Sequence, residues 1–446
     1  MVAMAEVAAM AVAVAAGAEV VAATAEGQAA PRARLPPRIE PVAVRACSAV
    51  SAAGVGRAAL GEALRDGRTR LAPNRCGEPI LPTWVGTVAA LDEADADRLL
   101  PMALRAQWDA RATRLAWLGL LADDFLAAAK AAVARHGAAR VGLALGTSAS
   151  TIGVSEAAYR ALAPDGGFPQ HWRHERLNTP HALALFVAEV LGLAGPTVTV
   201  STACSSSAKV FAVAERWLRL GLVDAVVAGG VDALCDSVLY GFAALGLVSP
   251  APCRPFDRRR DGISIGEAAG FALLERGPAE ITLLGHGEAN DAFHMSSPHP
   301  EGLGAELAVD DALARAGLAG LAGLAGLSDA GGPGVDYVNL HGTASPKNDE
   351  IEAALLARRY GSNTIASATK GLTGHTMGAA GMLEAAICLE ALQQGLAPGT
   401  TGCEQPDTGC DARLLRAPRP CTLRVAASHS FGFGGSNAVL IFGRSR

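Results

Sequence analysis

Aromatic residues are scarce in this chain, with Phe, Tyr and Trp together making up 4% of its 446 residues. A core without large rings must be filled by small side chains, and the abundant Ala and Gly suit helices packed closely on sheets. Charged residues are also modest, 18% against 50% hydrophobic. That balance supports a sizeable buried core, in two domains or one large duplicated one. No Lys/Arg-rich tract occurs beyond the short Arg258-Arg259-Arg260, and the formal charge is −5. Nucleic-acid binding wants a basic face, so a general nucleic-acid binder is excluded. The nine cysteines contain no CxxC pair, and their scatter and odd number fit neither a zinc site nor a disulfide framework. A reduced, cytoplasmic setting follows. A membrane span is also lacking. Met1 to Ala30 is rich in Ala and Val, but it has no basic leading segment, and Glu6 and Glu19 interrupt it. It reads as a weakly helical or disordered extension, without export, that runs into a Pro/Arg-rich linker over residues 31–41.

What is present is an alternation of strands and helices. Strand-like runs include Val42–Val44, Val141–Leu145, Ala225–Ala228, Phe271–Leu274, Val335–Leu340, Thr364–Ala366, Arg424–Ala427 and Ala438–Phe442. Between them lie helical patterns, among them a long amphipathic one over Leu104–Arg135, others over Asp349–Arg359 and Met377–Leu392, and a shorter one over Leu183–Leu191. Such alternation predicts α/β layers, with functional residues on the loops that follow strand ends. The LAG repeats of Ala316–Leu327 read as a helix end and a variable loop without chemistry.

The stretch Thr197–Phe211, TVTVSTACSSSAKVF, is the most informative. Val198 and Val200 alternate with Thr as in a short buried strand, and from Val210 to Leu218 the apolar spacing is helical. Cys204 therefore sits at a strand-to-helix junction. The unpaired N–H groups of a helix N-terminus would stabilise a thiolate there and could also hold an oxyanion. A lone cysteine of this kind is more often a small core residue, so its meaning depends on what accompanies it.

Three later segments have the composition of site loops. Asn339–Asp349, NLHGTASPKND, ends a strand at His341. Thr369–Gly381, TKGLTGHTMGAAG, sets Lys370 and His375 around a glycine turn. Ser430–Asn437, SFGFGGSN, lets backbone amides approach a substrate. Each alone is a modest signal, since a histidine after a strand is usually structural and a lone lysine is usually a surface group. Together they supply a thiol, two imidazoles, a cation and an oxyanion-type loop.

In their order and spacing these segments resemble the elongating β-ketoacyl-[acyl carrier protein] synthases, over about Val42 to Phe442. The resemblance implies a thiolase-like α/β fold, duplicated halves stacked as α-β-α-β-α layers, with a nucleophile-bearing half over 41–277 and a histidine-bearing half over 278–446 after an extension over 1–40. It implies decarboxylative condensation of an acyl thioester with malonyl-carrier to a 3-oxoacyl-carrier. Cys204 matches the acylated nucleophile, His341 and His375 the catalytic histidines, and Lys370 the lysine before the second of them. Glu384 is similar to the carboxylate after GAAG. Phe433 resembles the gating residue whose N–H completes an oxyanion hole with that of Cys204, and Thr343 and Thr373 are supporting positions. Asp257 and Asp261 match a structural loop near the site.

No metal or bound cofactor is implied, since substrates ride on the phosphopantetheine of acyl carrier protein. The implied assembly is a homodimer, or a heterodimer with a homologous chain-length-factor-like subunit. Arg105, Arg111 and Arg114 are candidates for receiving the acidic carrier, a solvated helix face being the plainer reading. The acyl pocket is expected around GTSASTIG (Gly146–Gly153) and the loop Gly166–His181. Two rivals share the fold. A thiolase would need a second cysteine near the Gly-rich loop, where SHSFGFGG has none. A non-catalytic chain-length factor would lack the Cys204–His341–His375 set. The serines after Cys204, Lys209, GEAAG and Ser345 depart from the housekeeping pattern and resemble ketosynthases of specialised pathways, aryl-polyene clusters among them.

Overall fold

Eleven strands form one mixed sheet, and its order explains how residues from distant parts of the chain reach one site. The computed structural model describes residues 36–93, 99–169, 176–318, 334–410 and 413–445. The expected N-terminal extension up to residue 35, most of the LAG segment and the middle of the loop 166–181 lie outside the described residues. The strands that matter are Val42–Ser51 (β1), Val141–Gly146 (β2), Thr197–Val200 (β3), Ala225–Asp232 (β4), Ala268–Glu275 (β5), Ile281–Asn290 (β6), Tyr337–Asn339 (β7), Ile365–Ser367 (β8), Val425–Gly432 (β9) and Ser436–Arg444 (β10). They lie in the order β8-β7-β9-β10-β6-β1-β5-β4-β2-β3, and the short strand Gly54–Val55 folds back on β1.

β1 and β6 meet antiparallel in the middle, with Val42 opposite Leu283. Each arm then repeats one arrangement. An antiparallel neighbour comes first (β5 or β10), followed by three mutually parallel strands, β4-β2-β3 in one arm and β9-β7-β8 in the other.

The helices needed here are Arg111–Leu121 (α1), Phe125–His136 (α2), Ser206–Arg219 (α3), Leu303–Arg315 (α4), Pro346–Arg359 (α5) and Ala380–Gln394 (α6). α3 and α6 pack against each other between the arms: α3 touches β2 and β4 on one side and β10 on the other, and α6 touches β9 as well as β1 and β5. α1 and α2 cover the outside of the first arm, while α4, backed by α5, covers the second. Three apolar clusters fill the spaces between these layers, giving the α-β-α-β-α thiolase-like arrangement.

The scarcity of aromatics has its reason in the central layer. A Cβ on Gly381 of α6 would lie 2.4 Å from the backbone nitrogen of Ala208 in α3. Only glycine allows that approach, and the two helices are tied there by Met382 N–H donating to Ser207 Oγ at 2.9 Å. α6 is buried on every side from Ala380 to Leu392, as an all-round apolar helix should be.

Two expectations differ from the structure. The long helix over Leu104–Arg135 is three pieces, Met102–Trp108, α1 and α2, separated in part by Asp123 and Asp124 at φ 56° and 57°. Aspartate tolerates that left-handed region, and the break turns the Asp123 carboxylate onto the N–H of Arg57 at 2.9 Å, where it caps the helix Arg57–Asp66. β3, expected to be buried, is half-exposed because it is the edge strand of the sheet. Among the described residues no helix is long and apolar enough to cross a membrane.

Candidate active site

Cys204 follows β3 through a tight turn. Ala203 adopts φ 52°, a conformation that costs a non-glycine residue about 1–2 kcal/mol, and the serines beyond it hold the turn. Ser206 Oγ accepts the Thr202 N–H at 2.9 Å and donates to the Ala203 carbonyl at 2.6 Å. The thiol is 4% exposed and forms part of the wall of a cavity of about 410 Å³.

The second arm brings the other groups. His341 follows β7, and the Glu352 carboxylate of α5 accepts its backbone N–H and that of Gly342, each at 2.7 Å. His375 follows the turn Lys370–Thr373. Its backbone N–H donates to Ser264 O at 2.7 Å, and its carbonyl accepts from Gly266 at 2.9 Å. These bonds aim its Nε2 at Cys204 Sγ, 2.9 Å away. The two imidazoles meet edge-on, with centroids 5.3 Å apart at 87°.

Lys370 and Glu384 form a buried ion pair beneath them. The Lys370 ammonium also contacts the His341 carbonyl and approaches His341 Nδ1 at 3.3 Å. A protonated lysine can only donate, so Nδ1 is the acceptor and the His341 proton sits on Nε2. Glu384 Oε2 accepts a further bond from Ser430 Oγ at 3.3 Å.

Burial sets the protonation states. It pushes the Cys204 thiol up to about 12, outweighing the Lys370 ammonium and the Phe433 backbone N–H, both of which lower it. The thiolate expected from a helix N-terminus is therefore not the resting form, because desolvation of the sulfur dominates. Burial, and after it the Lys370 charge, holds His341 and His375 well below the ordinary histidine value, so both are neutral. Burial raises Glu384 to about 7 against the opposing pull of Lys370.

Phe433 lies at the tip of the hairpin between β9 and β10, its ring against Phe242 at 5.4 Å. Met295 O accepts the N–H of neighbouring Gly434 at 2.7 Å, and Asn290 Nδ2 donates to the Gly434 carbonyl at 2.9 Å, which together pin the tip. Thr343 lines the cavity. Thr373 is buried and donates to the Gly374 carbonyl at 3.0 Å, not into the cavity. Asp257 is buried under backbone N–H groups of Arg259, Glu404 and Gln405, and Asp261 accepts from Ser249 Oγ at 2.6 Å; neither lines the cavity.

Some residues of the site had no sequence signal of their own. Buried Asp232 gathers Thr147 Oγ1, the N–H groups of Ser148 and Ala149, and the Gly378 N–H behind the nucleophile turn. His429 bridges Glu352 at 3.0 Å and the Tyr360 hydroxyl at 2.7 Å. The GTSAST loop lines a separate cavity of about 240 Å³ with Leu177, Asn178 and Ser201.

The three candidate arginines are already engaged. Arg111 binds Glu267 and Asp92, Arg114 binds Asp109, and Arg105 donates to Leu100 O at 3.4 Å. Cys204, His341 and His375 hold their ligand atoms within 4.8 Å of one another, a spacing a metal ion could bridge. The Lys370 ammonium against His341 opposes a dication there.

Comparison with known proteins follows the same outline. Residues 39–279 match the family described as beta-ketoacyl synthase, N-terminal domain, and residues 281–404 match its C-terminal domain. Nodulation protein E of Rhizobium sp. (strain N33) is 33% identical over 407 residues, 87% of this chain and 95% of that protein. The 3-oxoacyl-[acyl-carrier-protein] synthase 2 of Vibrio harveyi is 33% identical over 335 residues, 70% of this chain and 77% of that one. Among solved structures, the ketosynthase ApeO in complex with its chain length factor ApeC from Xenorhabdus doucetiae superposes with a TM-score of 0.78 at 34% identity, covering 91% of this chain and 98% of that one.

Proposed function

The chain belongs to the β-ketoacyl synthase family, an acyltransferase that condenses an acyl thioester with malonyl-carrier, and we propose that Cys204, His341 and His375 carry that chemistry here. One observation carries the assignment: a thiol and two neutral imidazoles converge on one cavity, with His375 Nε2 at 2.9 Å from the sulfur.

In the first half-reaction Cys204 Sγ attacks the acyl carbonyl. Because the resting thiol is protonated, its proton passes to His375 Nε2 as the S–C bond forms, and then to the departing pantetheine sulfur. Backbone N–H groups of Cys204 and Phe433 hold the tetrahedral oxygen. In the second half-reaction malonyl-carrier loses CO2. The resulting enolate oxygen is stabilised by the Nε2–H of His341, whose tautomer Lys370 fixes, and by His375. The Nδ1 of His375 has no hydrogen-bond partner among the described residues, so its tautomer is free to serve both half-reactions. The enolate carbon then attacks the acyl-Cys204 carbonyl. The 3-oxoacyl-carrier forms, and the sulfur leaves and takes up one proton.

The carrier partner is acyl carrier protein, as in the names of the 3-oxoacyl-[acyl-carrier-protein] synthases. Lys209, GEAAG and the serines after Cys204, which resemble aryl-polyene ketosynthases, support chain elongation in a polyene-type specialised pathway. The likeness to ApeO supports pairing with a homologous chain-length-factor-like subunit in preference to a second copy. The deciding experiment offers acetyl-, hexanoyl- and decanoyl-carrier with malonyl-carrier, alone and with the homologous subunit, and reads products by mass spectrometry. Extended 3-oxoacyl-carriers are expected; absence of any condensation in every combination sinks the proposal.

A pH prediction follows from the neutral histidines. Their folded values are depressed, so the stability they contribute is present above the unfolded value of about 6.5 and is lost as pH falls. Malonyl-carrier decarboxylation should therefore stay level through the ordinary histidine range and decline only at more acid pH. Because the Glu384 carboxyl is itself raised to about 7, a midpoint at about 6.5 in the rate profile that persists in Glu384→Gln would contradict the assigned neutral donors.

A further inference from the structure

One cation on the nucleophile helix has no part in this mechanism. Lys209 stands on α3, five residues after Cys204, and is half-buried. Its ammonium donates to Ser436 Oγ at 2.6 Å. Ser205, the residue after the nucleophile, donates its Oγ–H to Ser436 Oγ at 3.3 Å and also lies within donating distance of Thr202 O at 2.9 Å. Ser436 Oγ therefore accepts from the Lys209 ammonium and from Ser205 Oγ, whose hydroxyl is shared between Ser436 and the Thr202 carbonyl, so Ser436 is the acceptor at which the two donors meet.

The two serines belong to the two parts of the proposed oxyanion hole. Ser436 closes the hairpin whose tip is Phe433, pairing with Gly432 in β9 and with Asn290 in β6. Ser205 belongs to the turn that presents Cys204. The backbones already touch, since a Cβ on Gly432 would lie 3.0 Å from Thr202 O and 3.2 Å from Cys204 N. A Cβ there would need its neighbours to give by a few tenths of an ångström, so the two backbones are close and the serines bridge them from the side.

Resting on the reading that the Cys204 and Phe433 amides form the hole, we propose that Lys209 is a positioning residue. Through Ser436 and Ser205 it holds the hairpin that carries the Phe433 N–H in register with the turn that carries Cys204. A direct effect of its charge on the sulfur is not the route, because the cation that acts on the thiol is Lys370. Loss of the ammonium strands no carboxylate, since nearby Glu288 is paired with Arg216.

The test uses the full-length protein with Lys209→Met, Lys209→Arg and Ser436→Ala, and measures two half-reactions. One is single-turnover acylation of Cys204 from the best donor among acetyl-, hexanoyl- and decanoyl-carrier. The other is malonyl-carrier decarboxylation, which draws on the two histidines and not on the hole. Lys209→Met is expected to slow acylation about 10- to 100-fold with KM unchanged, while decarboxylation holds its wild-type rate. Lys209→Arg should restore acylation, Ser436→Ala should match the methionine variant, and the double variant should be no worse than either single one. Equal losses in both half-reactions, or undiminished acylation in Lys209→Met, would overturn the proposal. Absence of acylation in the wild-type protein would instead remove the underlying reading, and is seen without any Lys209 variant.

Discussion

Cys204→Ala is expected to abolish covalent acylation of the protein, lowering condensation by about 10⁴-fold or more, while malonyl-carrier decarboxylation persists. Removing the nucleophile of a group-transfer enzyme leaves only what binding and the remaining donors supply. Decarboxylation needs no acyl-enzyme, only neutral N–H donors at the enolate oxygen, which the proposed mechanism places on His341 and His375 beyond the substituted atom. Intact-protein mass after exposure to acyl-carrier, with trapped CO2 from malonyl-carrier, separates the two. All nine cysteines are free, so peptide mapping of the wild-type adduct matters as much as its loss in the variant. An acyl group on any other cysteine, or an undiminished adduct in Cys204→Ala, would contradict the nucleophile.

The second large effect concerns the Lys370–Glu384 pair. Both side chains are buried and in contact, and removing one member of such a pair costs about 3–5 kcal/mol because the other charge is left uncompensated. Lys370→Met should therefore destabilise the fold. It should also slow decarboxylation by about 10²–10³, since the His341 tautomer is no longer held. The two effects come apart in Lys370→Met/Glu384→Gln, which should regain most of the stability but none of the rate.

Glu384 gives this a pH signature. Its folded value is raised to about 7 from an ordinary 4.5. The stability linked to its protonation is then complete below the unfolded value and is lost as pH rises through the folded one. With Lys370 gone the raised value moves higher still. The deficit of Lys370→Met should accordingly widen as pH increases, and urea midpoints across that range check the direction. A deficit that shrinks with rising pH would mean that Glu384 is not the group left exposed to the loss.

The site was legible in the sequence where its signal is local. Strand, turn and helix are contiguous around Cys204, and each histidine ends a strand within a run of small polar residues. Packing between arms was not legible. Cys204 and His375 are 171 residues apart in the chain, and only the motif resemblance joined them beforehand. Arg111 looked like a solvated helix charge because its partner Glu267 lies 156 residues away. The Thr/Val alternation of β3 is the same for a buried strand and an edge strand, so exposure could not be read from it. Glu352 and His429 look like an ordinary helix carboxylate and loop imidazole until the second arm folds Glu352 onto the backbone of His341 and His429 onto Glu352. The thiolate expected at Cys204 failed for a related reason: the helix end is local and visible, but the burial that outweighs it is a property of the whole core.

The position of β10 bears on when activity can arise. Ser436–Arg444 is the latest described strand in synthesis, yet it inserts between β6 and β9 near the centre of the sheet instead of adding to an edge. Its pairing with β6 joins segments made far apart in time, a non-local closure of the kind that slows folding. A nascent chain that has emerged only as far as α6 already carries Cys204, His341, Lys370 and His375, but it lacks the Phe433 amide and one wall of the cavity. The cavity wall and the second donor of the proposed oxyanion hole are therefore completed only when β10 has paired with β6 and β9.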